Sequence, residues 1–358
     1  MSSRRRWYGT AAGAVLAGAV AVGVVLAPGA SAAPELPPVS PEDLVASVIT
    51  AQPGPFDGSI TVDNELGLPA LPQAPQLGNG SSTARVWSGG DGKGRVALPS
   101  SEGEKTLVSD GTTRWAYDST DRTATRSTGE AGQRPEGAGP AGVDPQTDPA
   151  GAATSMIAEL RKTSNVAVDG TAEVAGRPAY QLVLTPQPNE RTLLREVRVA
   201  VDAEKRIPLQ LTVLATGSPD PALTLGFDSI AFEPQDPALF AFTPPPGTTV
   251  KDAPQGDRPD RPEGATAPRT VGEGWDRVVV LQRPAQAGQP QPGQPQPGQP
   301  EGAPEGAPDL SALGSPVSGP WGTGRLISTA VATAIVTDDG RVAAGAVPEQ
   351  VLTEALAR

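Results

Sequence analysis

From residue 56 to residue 232 the chain is built largely of short segments in which apolar and polar side chains alternate. That period of two is the mark of strands with one buried face. Ile60 and Val62 alternate with Ser59, Thr61 and Asp63, and further short strands are predicted at 83–87, 94–98 and 104–109, with Gly-rich or polar turns between them. The stretch 109–126 reads as two antiparallel strands with turns at Asp110-Gly111 and Ser119-Thr120-Asp121. Alternation puts Trp115 and Tyr117 on one face and Arg114, Ala116 and Asp118 on the other. Consecutive strands joined by tight turns predict an antiparallel meander, not a parallel sheet.

After a loop at 127–147 the alternation resumes at 165–169, 171–174, 178–184, 194–202, 207–214 and 223–232. The inward sets are Tyr180, Leu182, Leu184; Val197, Val199, Val201; Leu209, Leu211, Val213; and Leu223, Leu225, Phe227. Two stretches carry a helical period instead. Ser40 caps a helix whose Pro41, Glu42 and Asp43 suit its start and whose Leu44, Val45, Val48 and Ile49 form one stripe. Asp148-Pro149 opens a second, with Ala153, Met156, Ile157 and Leu160 on one side and Arg161 and Lys162 at its negative end.

A curved sheet of about ten strands with two short helices has more apolar face than the helices cover, so it either fills its interior or encloses a cavity. The candidate cavity residues are Ile60, Val62, Trp115, Tyr117, Tyr180, Leu182, Leu184, Val197, Val199, Leu209, Leu211, Leu225 and Phe227. Each would serve equally as packed core.

Composition narrows the chemistry. With no Cys and no His, thiolate or imidazole metal sites, Ser-His-Asp triads and Cys nucleophiles are all excluded. No carboxylate pair or Ser/Lys arrangement stands out, and Glu42 and Asp43 are accounted for as helix-start charges, so a non-enzymatic protein without cofactor is expected. With 28 basic against 40 acidic residues, a nucleic-acid partner is disfavoured. The turn around Lys93 lacks the Ser or Thr that a phosphate-binding loop needs after its Lys, and Asp338-Asp339-Gly340 lacks the further carboxylates of a calcium loop.

Arg4, Arg5 and Arg6 precede an apolar run and Ala30-Ser31-Ala32, so 1–32 reads as an export signal, by the Sec or the twin-arginine route, or else as an uncleaved anchor. The expected domains are a sheet domain at 33–252, a Pro/Gly/Gln-rich linker at 253–308 containing one strand at 275–281, and a small C-terminal α/β unit at 309–358. Within that unit an apolar segment at 325–337, a turn at Asp338-Asp339-Gly340, a strand at 341–347 and a helix at 348–357 are predicted, with the 275–281 strand pairing across the linker.

Five stretches, FDGSITV (56–62), SDGTTRWAYDSTDRTATR (109–126), VAGRPAYQLVLTP (174–186), REVRVAVDAEKRIPLQLTV (195–213) and FDSIAFEPQDPALFAFTPPPGTTV (227–250), occur in an order that resembles the LolA/LolB and RseB/MucB superfamily. The resemblance spans about residues 40–252. It implies an α+β fold, a curved antiparallel sheet forming an unclosed half-barrel with covering helices, followed by a smaller C-terminal unit. It also implies an exported protein that binds the acyl chains of a lipid or lipoprotein, or, in the RseB branch, one that controls an anti-sigma factor or other membrane protein. The lipobox Cys of the family's lipoprotein members has no counterpart here.

Overall fold

The structure, a computed structural model, describes residues 34–67, 79–90, 92–128, 148–253, 268–282 and 314–358. The leader expected at 1–32 and the Gln-Pro-Gly repeats lie outside these residues.

The alternating segments form one large sheet. Its first run is β1 (Phe56–Asn64), β2 (Gly80–Gly90), β3 (Lys93–Pro99), β4 (Glu104–Asp110), β5 (Thr113–Asp118) and β6 (Thr123–Thr128). Its second is β7 (Ser164–Val174), β8 (Arg177–Pro186), β9 (Leu194–Asp202), β10 (Pro208–Ala215) and β11 (Pro221–Ala231), and β12 (Thr249–Asp252) follows. The order across the sheet is β12-β6-β5-β4-β3-β2-β1-β11-β10-β9-β8-β7, so the two ends do not meet and the sheet stays unclosed. Every pairing is antiparallel except β12 with β6. The stretch at 109–126 contributes to three strands rather than two, because Asp110 already belongs to β4 and its carboxylate accepts the amides of Thr112 at 2.9 Å and Thr113 at 2.7 Å to turn the chain.

The two expected helices are present. In α1 (Pro41–Ile49) the Ser40 hydroxyl accepts the Asp43 amide at 3.0 Å, and in α2 (Pro149–Leu160) Asp148 accepts the Gly151 amide at 2.9 Å. Leu44 and Ile157, both at 0% exposure, carry the helices onto Val166, Tyr180, Leu182 and Val201. An ion pair from Arg161 to Glu42 ties the two helices together. Truncating either buried side chain to Ala costs about 2 to 5 kcal/mol at sites of this kind.

After β11 the chain crosses the other face of the first run. A 3-10 turn at Pro237–Phe240 buries Phe240, whose ring lies so close to Gly89 that a Cβ there would sit 2.6 Å from it. The strap then runs into β12 and covers Ala97, Thr106, Val108 and Ala124, all buried.

A second sheet contains β13 (Arg269–Val271), β14 (Val278–Gln282), β15 (Ser315–Gly319), β16 (Gly322–Ser328), β17 (Thr333–Thr337) and β18 (Arg341–Gly345), in the order β13-β14-β18-β17-β16-β15. The helix α3 (Glu349–Ala357) packs Val351, Leu352, Ala355 and Leu356 against Val278, Val280, Ile335 and Ala343. The strand expected at 275–281 does pair with the C-terminal unit, through β18, but starts at Val278 because Gly274–Asp276 forms a 3-10 turn. The apolar segment at 325–337 is broken by a turn in which the Thr329 hydroxyl accepts the amides of Val331 at 3.3 Å and Ala332 at 2.9 Å. The second sheet is held to the first by Trp275, whose indole donates to Ser164 at 2.7 Å, and by the Leu193 amide donating to the Ala346 carbonyl at 2.9 Å.

Between β7 and β8 the turn residues Ala175 and Gly176 take φ of 52° and 71°. Both positive values belong to the tight hairpin turn that prefers Asn-Gly, and an Ala there bears a Cβ clash that Asn tolerates. Ala175→Asn is expected to stabilise the protein by up to about 1 kcal/mol in urea unfolding.

Candidate functional site

Strand pairing carries one face of the large sheet from end to end. Leu182 lies opposite Val199, Val199 opposite Leu211, Leu211 opposite Leu225, and Leu225 opposite Val62. Ile60, on the same side of β1 as Val62, faces Ala84. Beyond it Val86 pairs with Val96, Val96 with Leu107, and Leu107 with Ala116. A single surface therefore runs from β8 to β5.

The helices cover only part of it. Under them Val168, Leu184 and Val199 pack against the Leu44 and Ile157 cluster. Past β10 the same face is bare: Leu225 is 42% exposed, Leu98 41% and Leu107 48%. Here lies a groove of about 490 Å³ whose apolar lining includes Phe56, Val86, Val96, Leu107 and Ala116, with Arg114 on its border, while Arg95, opposite Trp87 and Val108, projects from the other face. Exposed aliphatic side chains gathered in a groove, unlike ones scattered singly, are a feature of binding surfaces.

The residues expected to line a cavity divide into groups. Tyr180 and Leu182 are buried beneath the helices, and the Tyr180 hydroxyl donates to the Pro37 carbonyl at 3.0 Å. Leu209, 2% exposed, and Phe227 pack in a further core cluster with Val174, Ala179 and Ala200. Ile60, Val62, Val197 and Leu211 are half-buried on the helix-bearing face, and Leu225 is exposed on it.

Trp115 and Tyr117 require correction. They do share a face, but it is the opposite one, where their rings pack at a tilt against Phe242 with centroids 5.4 and 5.7 Å apart. Trp115 only borders the groove from behind. The strap that ends in β12 brings Phe242 to them, a contact between residues far apart in sequence. Conversely Phe56, Val86, Val96 and Leu107 were not anticipated. Their alternation was visible in the strands at 94–98 and 104–109, yet the registers that align them with Val62 are a matter of strand pairing.

At the far end of β9, Asp202 is 1% exposed and receives Arg177 in a two-pronged ion pair, together with the amides of Glu204 at 2.8 Å and Lys205 at 2.6 Å. Burial pushes its carboxyl up, but the hydrogen bond from Arg177 and those amides outweigh burial and hold it below its usual value. Among the described residues no three His, Cys, Asp or Glu side chains gather as metal ligands.

No protein-family profile matches the chain, and no curated protein matches it in sequence. Solved structures do match. MucB in its complex with periplasmic MucA is 15% identical over 88% of this chain and 94% of its own, with a TM-score of 0.44. The Pseudomonas aeruginosa MucA/MucB complex gives 15% identity over 88% and 94%, with a TM-score of 0.43. A LolA superfamily protein from Nitrosomonas europaea is 12% identical over 57% of this chain and 99% of its own, with a TM-score of 0.25.

Because the Asp202 carboxyl is held low in the folded state, its stabilising contribution is fully present above its ordinary value of 3.8 and disappears as the pH falls through the lower folded value. Asp202→Asn, which removes the buried charge facing Arg177 and leaves it only the exposed Glu204, is expected to cost about 3 kcal/mol at neutral pH and to flatten the acid limb of stability against pH below 3.8, both measured by urea unfolding across pH.

Proposed function

We propose that this protein binds the acyl chains of a lipid or lipoprotein along the uncovered half of its helix-bearing face, as an exported carrier without catalytic action. The observation that carries this reading is the groove itself. It continues the apolar surface that the helices bury, yet leaves Leu107 in its lining, and Leu98 and Leu225 elsewhere on the same face, exposed to solvent. Apolar area removed from water yields about 25 cal/mol per Å², so an alkyl chain burying about 200 Å² would gain about 5 kcal/mol before the costs of association. No directed polar chemistry is needed for that gain. The charged, Ala-rich leader and its A-x-A site support export.

A second reading, a regulator that docks on a membrane protein or anti-sigma factor, is favoured by a different observation. The face of the second sheet turned away from α3 leaves Val279 37% and Leu281 42% exposed. An apolar sheet face of this kind suits a protein partner.

Native mass spectrometry of the protein purified from its own envelope, followed by lipid extraction, tests the carrier reading. Co-purified acyl lipid or lipoprotein is expected. Leu107→Glu, at an exposed position, is expected to lower binding of a fluorescent fatty acyl probe at least tenfold while leaving the unfolding midpoint within about 2 °C, since surface substitutions usually stay within about 0.5 kcal/mol. A protein that carries no lipid and ignores added acyl probes would reject the carrier reading. Loss of a captured membrane partner on Leu281→Lys would then establish the second.

A further inference from the structure

We infer that the groove takes one extended acyl chain laid across the strands and measures its length, with Phe56 as the stop for the methyl end; the inference rests on the acyl-binding reading above. The direction follows from the registers. Val86 pairs with Val96, Val96 with Leu107, Leu107 with Ala116 and Ala116 with Thr125, so the apolar strip crosses from β2 towards β6. Along each strand it is narrow. Two residues to one side the same face carries Gly94, Ser109, Arg114 and Ser127, and two residues to the other it carries Leu98 and then the ion pair of Lys105 with Asp118. An alkyl chain therefore leaves water over most of its length only by lying across the strands.

The two ends of the strip differ. At β6 it runs out into the exposed Thr125, and Lys251 stands opposite Thr125 on β12, so this is the polar end, where a head group meets solvent. At β1 it meets rings. Phe56, on the same side as Val86 by alternation, lines the groove, and its ring lies edge-on to Phe227 with centroids 6.2 Å apart and tilted against Phe232 at 5.9 Å. Gly58, directly opposite Val86, leaves the space for the Phe227 ring, since a Cβ there would sit 2.9 Å from it. The Phe232 ring is in turn capped by the Arg177 guanidinium at 4.8 Å and the Lys205 ammonium at 5.3 Å, and Arg177 is fixed by the buried Asp202. The wall of rings is thus braced by the ion pair at the end of β9.

The distance between the ends sets the length. Five strand spacings separate β6 from β1, and at about 4.8 Å each they span about 24 Å. Covalent geometry that advances an extended backbone by about 3.6 Å over three bonds advances an alkyl chain by about 1.2 Å per bond, so the strip holds about 20 carbons in line. Each methylene added up to that length covers more of the strip, whereas one added beyond it meets Phe56 or stays in water. Full burial of a methylene is worth about fourfold in affinity, and a groove open on one side yields about twofold.

The test uses lysophosphatidylcholines of about 12 to 24 acyl carbons, which bracket that length, as competitors of a fluorescent acyl probe on the purified full-length protein, below their micellar concentrations. Affinity is expected to rise about twofold per methylene and to level off near 20 carbons. Phe56→Ala should open the row onto Ile230, opposite Gly58 on β11, and move the plateau about four carbons longer, one strand spacing, with Phe56→Leu in between. Ala116→Phe, which raises a ring on β5, should shorten it by about four carbons, and circular dichroism should show the variants folded. Affinity that rises without a plateau, or a plateau unmoved by Phe56→Ala, overturns the length measurement while acyl binding stands; should that variant fail to fold, an unmoved plateau in Ala116→Phe does the same. Absence of binding at every length overturns the groove reading itself.

Discussion

The pairing of β1 with β11 is the contact on which the rest of the architecture depends. It joins the first strand of one meander to the last strand of the other, and so merges two antiparallel runs into one unclosed sheet. Without it, Leu225 would not lie beside Val62, and the apolar face under the helices would not continue to Val86 and Leu107. The pairing brings together segments more than half the sheet domain apart in sequence, so its loop-closure entropy must be offset by the apolar area that the joined sheet buries.

Coverage of that sheet is divided between its faces. Over β7 to β9 the helices α1 and α2 close the inner surface with Leu44 and Ile157. Over the first run the strap from Pro237 to β12 closes the opposite surface with Phe240 and Phe242. Each half of the sheet thus has a different side sealed. The inner side of the first run is left open, and this is where the groove forms.

The uncovered face sets up a tension between stability and binding. Leu98 and Leu107 contribute little to a core while they face solvent, and a sheet selected only for stability would carry polar residues there, as Ser127 and Thr125 do on β6. A groove whose residues are left partly wet instead retains the free energy of desolvation for a ligand. The second sheet shows the contrast, with α3 sealing one side through Val351, Leu352 and Leu356 while Val279 and Leu281 remain bare on the other.

Much of this fold was legible in the chain. Alternation along β8 to β11 identified the inward sets of Tyr180, Leu182, Val199, Leu211 and Leu225 correctly, because side-chain direction in a strand is a local property. The caps at Ser40 and Asp148 located both helices for the same reason. The face on which Trp115 and Tyr117 lie was not legible. Their alternation says that they share a side, but which side meets the helices depends on the register across five further strand pairs and on a strap that returns from beyond β11. The sequence by itself determined the strands, the helices, the absence of Cys and His chemistry and the apolar character of one sheet face. Tertiary structure alone decided where that face is sealed and where it is open, because covering a surface is a long-range event that no local period records.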